Sequence, residues 1–241
     1  MSIAAAVDVP PFIAELTAGR AVVPVWQNEL GGLTFRIGGD YVKWFPSEHW
    51  EIDLPGEADR MQWASAFAPV PEVVDAGRVD GGQWLRTRSM DAESAAHPSN
   101  AGDPLQTVTA LGRGLRWWHD TMPMPHCPYR WDVRQRLQMR GMEQTPVGQS
   151  FLDATATMED DLVVCHGDAC NPNFLVRSEA VVGYVDLGSV GIGDRWADLA
   201  AALMSLTWNF GRGWKQTFLD AYEIELNDSK VDYYWRLWEL A

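Results

Sequence analysis

The sequence predicts an α+β chain in two lobes, a small antiparallel sheet with one helix over residues 1–91 and a mainly helical part over residues 92–241. Three observations carry this expectation. Short alternating, valine-rich segments cluster ahead of residue 91. Residues 91–100 are polar and without periodicity, as a connector would be. Beyond them, helical stripes follow one another, broken only by a strand-rich unit at 163–188.

Composition narrows the classes. A chain of 241 residues can bury one large core or build two modest lobes. Apolar content of 46% with 22% charged residues is that of a globular protein, not a disordered one. The formal charge of −14 disfavours nucleic acid and anionic membrane as partners and favours cationic ligands. Cys127, Cys165 and Cys170 are too few for a disulfide framework and fit a reducing, cytoplasmic setting. Cys165, His166 and Cys170 give only a fragment of a zinc site, since no fourth ligand stands at a suitable spacing. The start, MSIAAAVDVPPF, lacks the basic and apolar regions of a signal peptide. No apolar run reaches the roughly 18 residues of a membrane span.

In the first lobe, residues 21–26, 33–37 and 41–45 read as three antiparallel strands. Gly38 and Gly39 supply the hairpin turn between the second and third. Gly31 and Gly32, between the first and second, either let backbone amides approach phosphates or make an ordinary turn. Lys43 lies mid-strand between Val42 and Trp44, an odd place for a solvated charge in a chain with only three lysines. It is either a ligand-binding cation or an edge-strand lysine that blocks aggregation. Residues 55–67 carry helical periodicity and stop before Pro69. Glu57 in the first turn is a candidate partner for Lys43, with Glu51, Asp53 and Asp59 as competitors, and a first-turn acid also suits the helix dipole. Two further strands are expected at 72–75 and 83–90, joined by a turn at 79–82.

The second lobe opens with a helix capped by Asp103, with Pro104 at its first position. Leu105, Val108, Leu111, Leu115, Trp118 and Met122 follow helical spacing up to Pro123. His119 beside that stripe reads as a packed or surface histidine. Residues 130–142 and 147–158 form two weaker helices, after the motif CPYRWDV. Past the 163–188 unit, residues 191–194 read as a loop and 195–208 as a helix capped by Asp194. Asp198, one turn in, is placed to reach back to the preceding turn. Helices at 215–224 and from 229 onward complete the chain. Most of the 13 tryptophans are expected in the core, and some can line a pocket.

The unit VVCHGDACNPNFLVRSEAVVGYVDLG carries the chemistry. Short apolar runs at 163–165, 174–176 and 181–185 place His166, Asp168, Asn173 and Asp186 at strand ends. Phosphoryl transfer needs a carboxylate beside the attacking hydroxyl and hard oxygen ligands for magnesium. Asp168 suits the first task and Asn173 with Asp186 the second, in the layout of a kinase catalytic loop followed by a DFG-like turn. Either motif alone is equally an ordinary polar turn; both in order, each between strands, are a specific signal.

HGDACNPNFLV, VVGYVDLG and GDRWADLA together resemble the signature of the aminoglycoside 3'-phosphotransferases, the kanamycin kinases, and CPYRWDV, VVDAG with QWLRTRSM, and YYWRLWEL extend the likeness over most of the chain. The resemblance implies a bilobal protein-kinase-like fold, magnesium, and ATP, or alternatively GTP, as co-substrate. It implies an acceptor that is a small hydroxyl-bearing cation. In that family the helix glutamate stands six residues before a tryptophan, as Glu57 stands before Trp63, which favours Glu57 as partner of Lys43. It also implies adenine contacts to backbone near Ser89 and Asp91.

The chain departs from the family in its acceptor half. Ser189 replaces the usual arginine after DLG, Trp208 and Asn209 stand where acids would meet ammonium groups, and the C-terminal pair of acids is reduced to Glu239 beside Trp238. The helical insert before the catalytic loop is short. Glu239 and the Ala241 carboxylate are left as cation contacts, with Trp208 and Trp238 as aromatic walls. Two other functions stay open on these residues, a kinase of another amino sugar, amino alcohol or hydroxylated metabolite, and a nucleotide-binding pseudoenzyme.

Overall fold

The structure is a computed structural model. It describes residues 7–17, 19–28, 30–47, 49, 51–79 and 81–240. The chain separates into two compact units, residues up to 65 with 71–90, and residues 66–70 with 91–241. Segment 66–70 joins the second unit, where the Tyr184 amide donates to the Pro69 carbonyl at 3.1 Å.

In the first unit α1 (Pro11–Leu16) precedes β1 (Val22–Gln27), β2 (Leu33–Ile37) and β3 (Asp40–Phe45). Then come α2 (Leu54–Ala64), β4 (Val73–Val79) and β5 (Gly82–Arg88). The strands form one antiparallel sheet in the order β1-β2-β3-β5-β4. Ile37 pairs with Asp40 across a two-residue turn, and Gly38 at φ +62° gives it the positive φ that such turns need at their first central position. Alternation sends Phe35, Ile37, Val42, Trp44 and Trp84 into a core closed by Ile13 of α1. β4 runs past the expected end at Asp75 to Val79, and α2 stops at Ala64, leaving Phe67 exposed.

The second unit begins with a correction. Residues 91–100 are no featureless connector: β6 (Glu93–Ser94) pairs with a later strand and α3 (Pro98–Ala101) follows. The segment is fastened by polar contacts to backbone carbonyls, the Ala95 N–H donating to Phe174 O at 2.8 Å and the Ser94 hydroxyl to Pro172 O at 2.9 Å, so no hydrophobic periodicity marks it. α4 (Pro104–Thr121) is capped by Asp103, which accepts from the Gln106 amide, and buries Val108, Leu111, Leu115 and Trp118. Leu105 is 59% exposed and lies off that stripe. α5 (Val133–Met139) and α6 (Pro146–Met158) precede β7 (Leu162–Cys165), β8 (Phe174–Arg177) and β9 (Ala180–Tyr184).

Residues 191–194, expected as a loop, form β10 (Gly191–Asp194), antiparallel to β7. The CPYRWDV segment docks on its other side, with Ile192 N–H to Tyr129 O at 3.0 Å and Trp131 N–H to Ile192 O at 2.8 Å. That approach explains both glycines of GIGD. A Cβ at Gly191 would lie 2.5 Å from the Arg130 carbonyl carbon, and one at Gly193 2.8 Å from the Trp131 oxygen. α7 (Arg195–Phe210), α8 (Lys215–Tyr222) and α9 (Asp228–Trp238) complete the unit. Asp194 caps α7 through the Trp196 amide and takes Lys230 Nζ of α9 at 2.6 Å, which ties the last helix to the strand. Among the described residues no helix is long and apolar enough to cross a membrane.

Candidate active site

β7 delivers the chain into His166, Gly167 and Asp168. Gly167 sits at φ +87°, and a Cβ there would lie 2.1 Å from the Ser189 carbonyl oxygen. Handedness and close approach therefore both demand glycine. Gly167→Ala is expected to cost about 10²-fold in turnover by displacing the loop; turnover within a few-fold of wild type, measured by ADP release, would contradict this.

His166 is fully buried, stacked on Phe174 at 5.5 Å and tilted against Trp118 at 5.5 Å. Burial holds its imidazole below the usual value, so it acts as a neutral spacer. Asp198 of α7 does reach back to this turn. Its Oδ2 accepts the His166 amide at 2.6 Å and its Oδ1 the Gly167 amide at 2.9 Å.

The far end of the loop is pinned by Asn173. Its Nδ2 donates to the Asp168 carbonyl at 3.0 Å, while the Val185 amide donates to the Asn173 carbonyl at 3.0 Å. The next residue, Asp186, has φ +64°, a left-handed conformation that a non-glycine residue holds only at a cost. Asp168 is half-buried as a residue, yet its Oδ1 is out of contact with solvent and has no hydrogen-bond partner. Its carboxyl is pushed up to about 6, first by burial and then by the charge of Asp186, while Cys170 and Asn173 pull the other way.

These donors fit magnesium. Asp186 and the Asn173 amide oxygen are hard ligands of the kind that share the ion with phosphates. The Asp186 charge, strong enough to lift Asp168, marks a position that a cation would relieve.

Within the first unit, Lys43 Nζ lies 2.7 Å from Glu57 Oε1, with the side chains 28% and 6% exposed. Of the competing acids, Asp53 is engaged by Arg78 at 2.8 Å. The glycine loop differs from its phosphate-cradle expectation, because its amides are already used. Gly31 N–H donates to the Asn28 carbonyl at 3.2 Å and Gly32 N–H to Asn28 Oδ1 at 2.6 Å. The Ser89 amide likewise donates to the Gly39 carbonyl at 2.9 Å, and in the second unit Asp91 pairs with Arg177 at 3.1 Å.

Of the acceptor-side residues, Trp208 is 60% exposed and stands edge-on to Trp235 at 5.7 Å. Trp238 is half-buried at the end of α9, Glu239 is exposed, and Ala241 lies outside the described residues. Asn209 Nδ2 bonds Ser205 Oγ at 3.1 Å, and that oxygen accepts the Asn171 amide at 2.9 Å, so the end of α7 reaches the catalytic loop. Sequence reasoning gave no role to Ser205, a serine on an apolar helix face. Only its small polar side chain amid alanine and leucine marked it.

The sheet-then-helices architecture, the strand-flanked HGD turn and the strained Asp186 define a phosphotransferase of protein-kinase-like fold. The family model for the phosphotransferase enzyme family matches residues 31–235, and the chain belongs to that family. It is 31% identical to an aminoglycoside 3'-phosphotransferase of Streptomyces fradiae, over 89% of this chain and 85% of the relative. It is also 31% identical to a streptomycin 3''-kinase of Streptomyces griseus, over 88% and 89%. The solved structure of aminoglycoside phosphotransferase APH(3'')-Id from Streptomyces rimosus with ADP and streptomycin superposes with a TM-score of 0.72. It shares 25% identity, over 95% of this chain and 97% of that one.

Proposed function

We propose that this protein transfers the γ-phosphoryl group of ATP to a hydroxyl of a small cationic molecule, an aminoglycoside in the first instance. The observation that carries the reading is Asp168, a carboxylate pinned from both ends of its loop whose buried Oδ1 keeps its lone pairs for an incoming hydroxyl. Residues 1–91 contribute the nucleotide half, in which Lys43, held by Glu57, meets the α and β phosphates. Residues 92–241 contribute the catalytic loop and acceptor half, in which Asn173 and Asp186 hold magnesium. Bound there, magnesium neutralises charge on the transferring phosphoryl group.

In the step itself, Asp168 orients the acceptor O–H. The new O–P bond forms as the bond from Pγ to the bridging oxygen breaks, ADP leaves, and the hydroxyl proton passes late to Asp168. Because the transition state is loose, Asp168 works mainly by positioning.

Trp208 and Asn209 favour a second reading, an acceptor with fewer ammonium groups than a typical aminoglycoside, such as an amino alcohol or simple amino sugar. An ADP-release screen over aminoglycosides, amino sugars and amino alcohols separates the two. Nucleotide binding without turnover across the whole panel would overturn both in favour of a pseudoenzyme.

The Lys43–Glu57 pair gives its own expectation. Lys43→Met should lower kcat/KM for ATP by about 10²-fold. Glu57→Gln, which leaves the lysine in place without its counter-charge, should lower it by roughly tenfold. Equal, near-normal constants in both variants would remove the pair from the nucleotide site.

A further inference from the structure

We infer that Gln83 is a positioning residue for the nucleotide half of the reaction: from β5 it fixes the first turn of α2 so that Glu57 meets Lys43. The inference rests on the reading of Lys43, held by Glu57, as a phosphate contact. Gln83 is a buried residue, 3% exposed. Its Oε1 accepts the Leu54 amide at 2.8 Å, and its Nε2 donates to the Ile52 carbonyl at 2.8 Å.

The strand register explains why these groups meet. β3 and β5 pair Lys43 with Leu85, Trp44 with Trp84 and Phe45 with Gln83. Directly opposite residues share a face, and successive ones alternate. Val42, Trp44 and Trp84 turn to the core closed by Ile13 of α1, so Lys43, Phe45, Gln83 and Leu85 turn to the other face. α2 meets that face at two points. Gln83 holds Leu54, and three residues later Glu57 brings its Oε1 to 2.7 Å from Lys43 Nζ. Along the sheet the two anchoring pairs are two residues apart, about 7 Å, and along the helix three residues, about 4.5 Å of rise.

α2 has no side-chain cap of its own for this end. Asp53 occupies the N-cap position without a cap bond, and its carboxylate is engaged by Arg78 at 2.8 Å instead. Pro55 carries no N–H, and the helical ladder begins where the Glu57 amide donates to the Asp53 carbonyl at 2.8 Å. The amide of buried Leu54 precedes that ladder, and Gln83 satisfies it from the sheet. Ala58, Met61 and Ala64 also hold α2, through packing that is non-directional. Two hydrogen bonds at one end add direction, since sliding or turning the helix breaks them. Residue type matters as well. The amide sets an acceptor against an N–H and a donor against a C=O, whereas a glutamate would set a carboxylate oxygen against the Ile52 carbonyl.

The test uses the full chain and three variants: Gln83→Met, close in shape and without an amide; Gln83→Glu, which keeps the acceptor for Leu54 and loses the donor to Ile52; and Gln83→Met combined with Glu57→Gln. The chain has three lysines, Lys43, Lys215 and Lys230, so the side-chain signals of labelled lysine can be followed one by one by NMR in the ligand-free protein. In Gln83→Met the Lys43 signal should move at least halfway to its position in Glu57→Gln, with Lys215 and Lys230 unmoved. Gln83→Glu should fall between wild type and Gln83→Met. With any acceptor that supports turnover, kcat/KM for ATP should drop roughly tenfold in Gln83→Met, as in Glu57→Gln, and the double variant should lose less than about twofold more.

An unmoved Lys43 signal in Gln83→Met overturns the proposal, as do shifts of equal size at all three lysines. A double variant that shows the full product of the two single losses also overturns it, because Gln83 would then act independently of Glu57. Should Gln83→Met fail to fold, the Lys43 signal in Gln83→Glu decides on the same terms. The NMR result stands even if the wild type turns over no acceptor, an outcome that would count against the proposed function alone.

Discussion

Asp168→Asn is expected to lower turnover by about 10³-fold, to leave nucleotide affinity within a few-fold of wild type, and to raise thermal stability at neutral pH. All three expectations come from one environment. The unpaired Oδ1 is the atom an acceptor hydroxyl would use, and an amide there can neither accept its proton nor align it as strongly. The carboxyl titrates near about 6 because burial and then the Asp186 charge disfavour its ionised form. In the wild type without magnesium or nucleotide, a carboxyl titration near about 6 should therefore be seen by NMR, and the asparagine variant should lack it.

The same shift sets the sign of the stability effect. A folded-state value above the unfolded 3.8 means that the native chain holds this proton more tightly. The contribution from Asp168 is fully present below the unfolded value and is lost as pH rises through about 6. At pH 7.5 the ionised group then costs the fold on the order of 1–3 kcal/mol, which asparagine removes. For a chain of this size that is a gain of roughly 2–8 °C in Tm, shrinking toward zero near pH 4. A variant with unchanged or lowered Tm at pH 7.5 would show that the carboxyl is not held against its preference.

Side-chain pattern was legible in the sequence where side chains carry the structure. Lys43 between Val42 and Trp44 stood out because a charge in an alternating strand has to be accounted for, and its ion pair with Glu57 accounts for it. Asp168, Asn173 and Asp186 were legible because their types and order match a chemical need. The failures fall where backbone does the holding. β10 has the sequence GIGD, with almost no side-chain signal; its pairing comes from β7 on one side and Tyr129 and Trp131 on the other. The 93–94 strand is likewise fastened through Phe174 and Pro172 carbonyls. Glycines 31 and 32 suggested open amides, and only the structure shows Asn28 occupying them. His119 looked like packing because its partners, Asp198 and Tyr222, lie 79 and 103 residues away in the chain.

Asp186→Asn should abolish magnesium-supported turnover, by about 10³-fold or more at physiological magnesium, and partly recover only at much higher metal concentration. Loss of one anionic ligand leaves Asn173 and the phosphates to hold the ion. The backbone gives no reason for misfolding, since asparagine accepts the left-handed conformation at φ +64° at least as readily as aspartate. A second consequence separates loss of metal from general damage. Asp186 is the charge that, after burial, holds the Asp168 carboxyl up, so removing it should lower the Asp168 titration, followed by NMR in the magnesium-free protein, below about 6. The two substitutions should also fall short of additive in stability, because each relieves the same repulsion. A double-mutant cycle on Tm at pH 7.5 should return a coupling of roughly 0.5–2 kcal/mol. An unchanged magnesium requirement in Asp186→Asn would place the ion elsewhere, whereas an unmoved titration in the magnesium-free protein would mean that burial alone, and not the neighbouring carboxylate, sets the titration of Asp168.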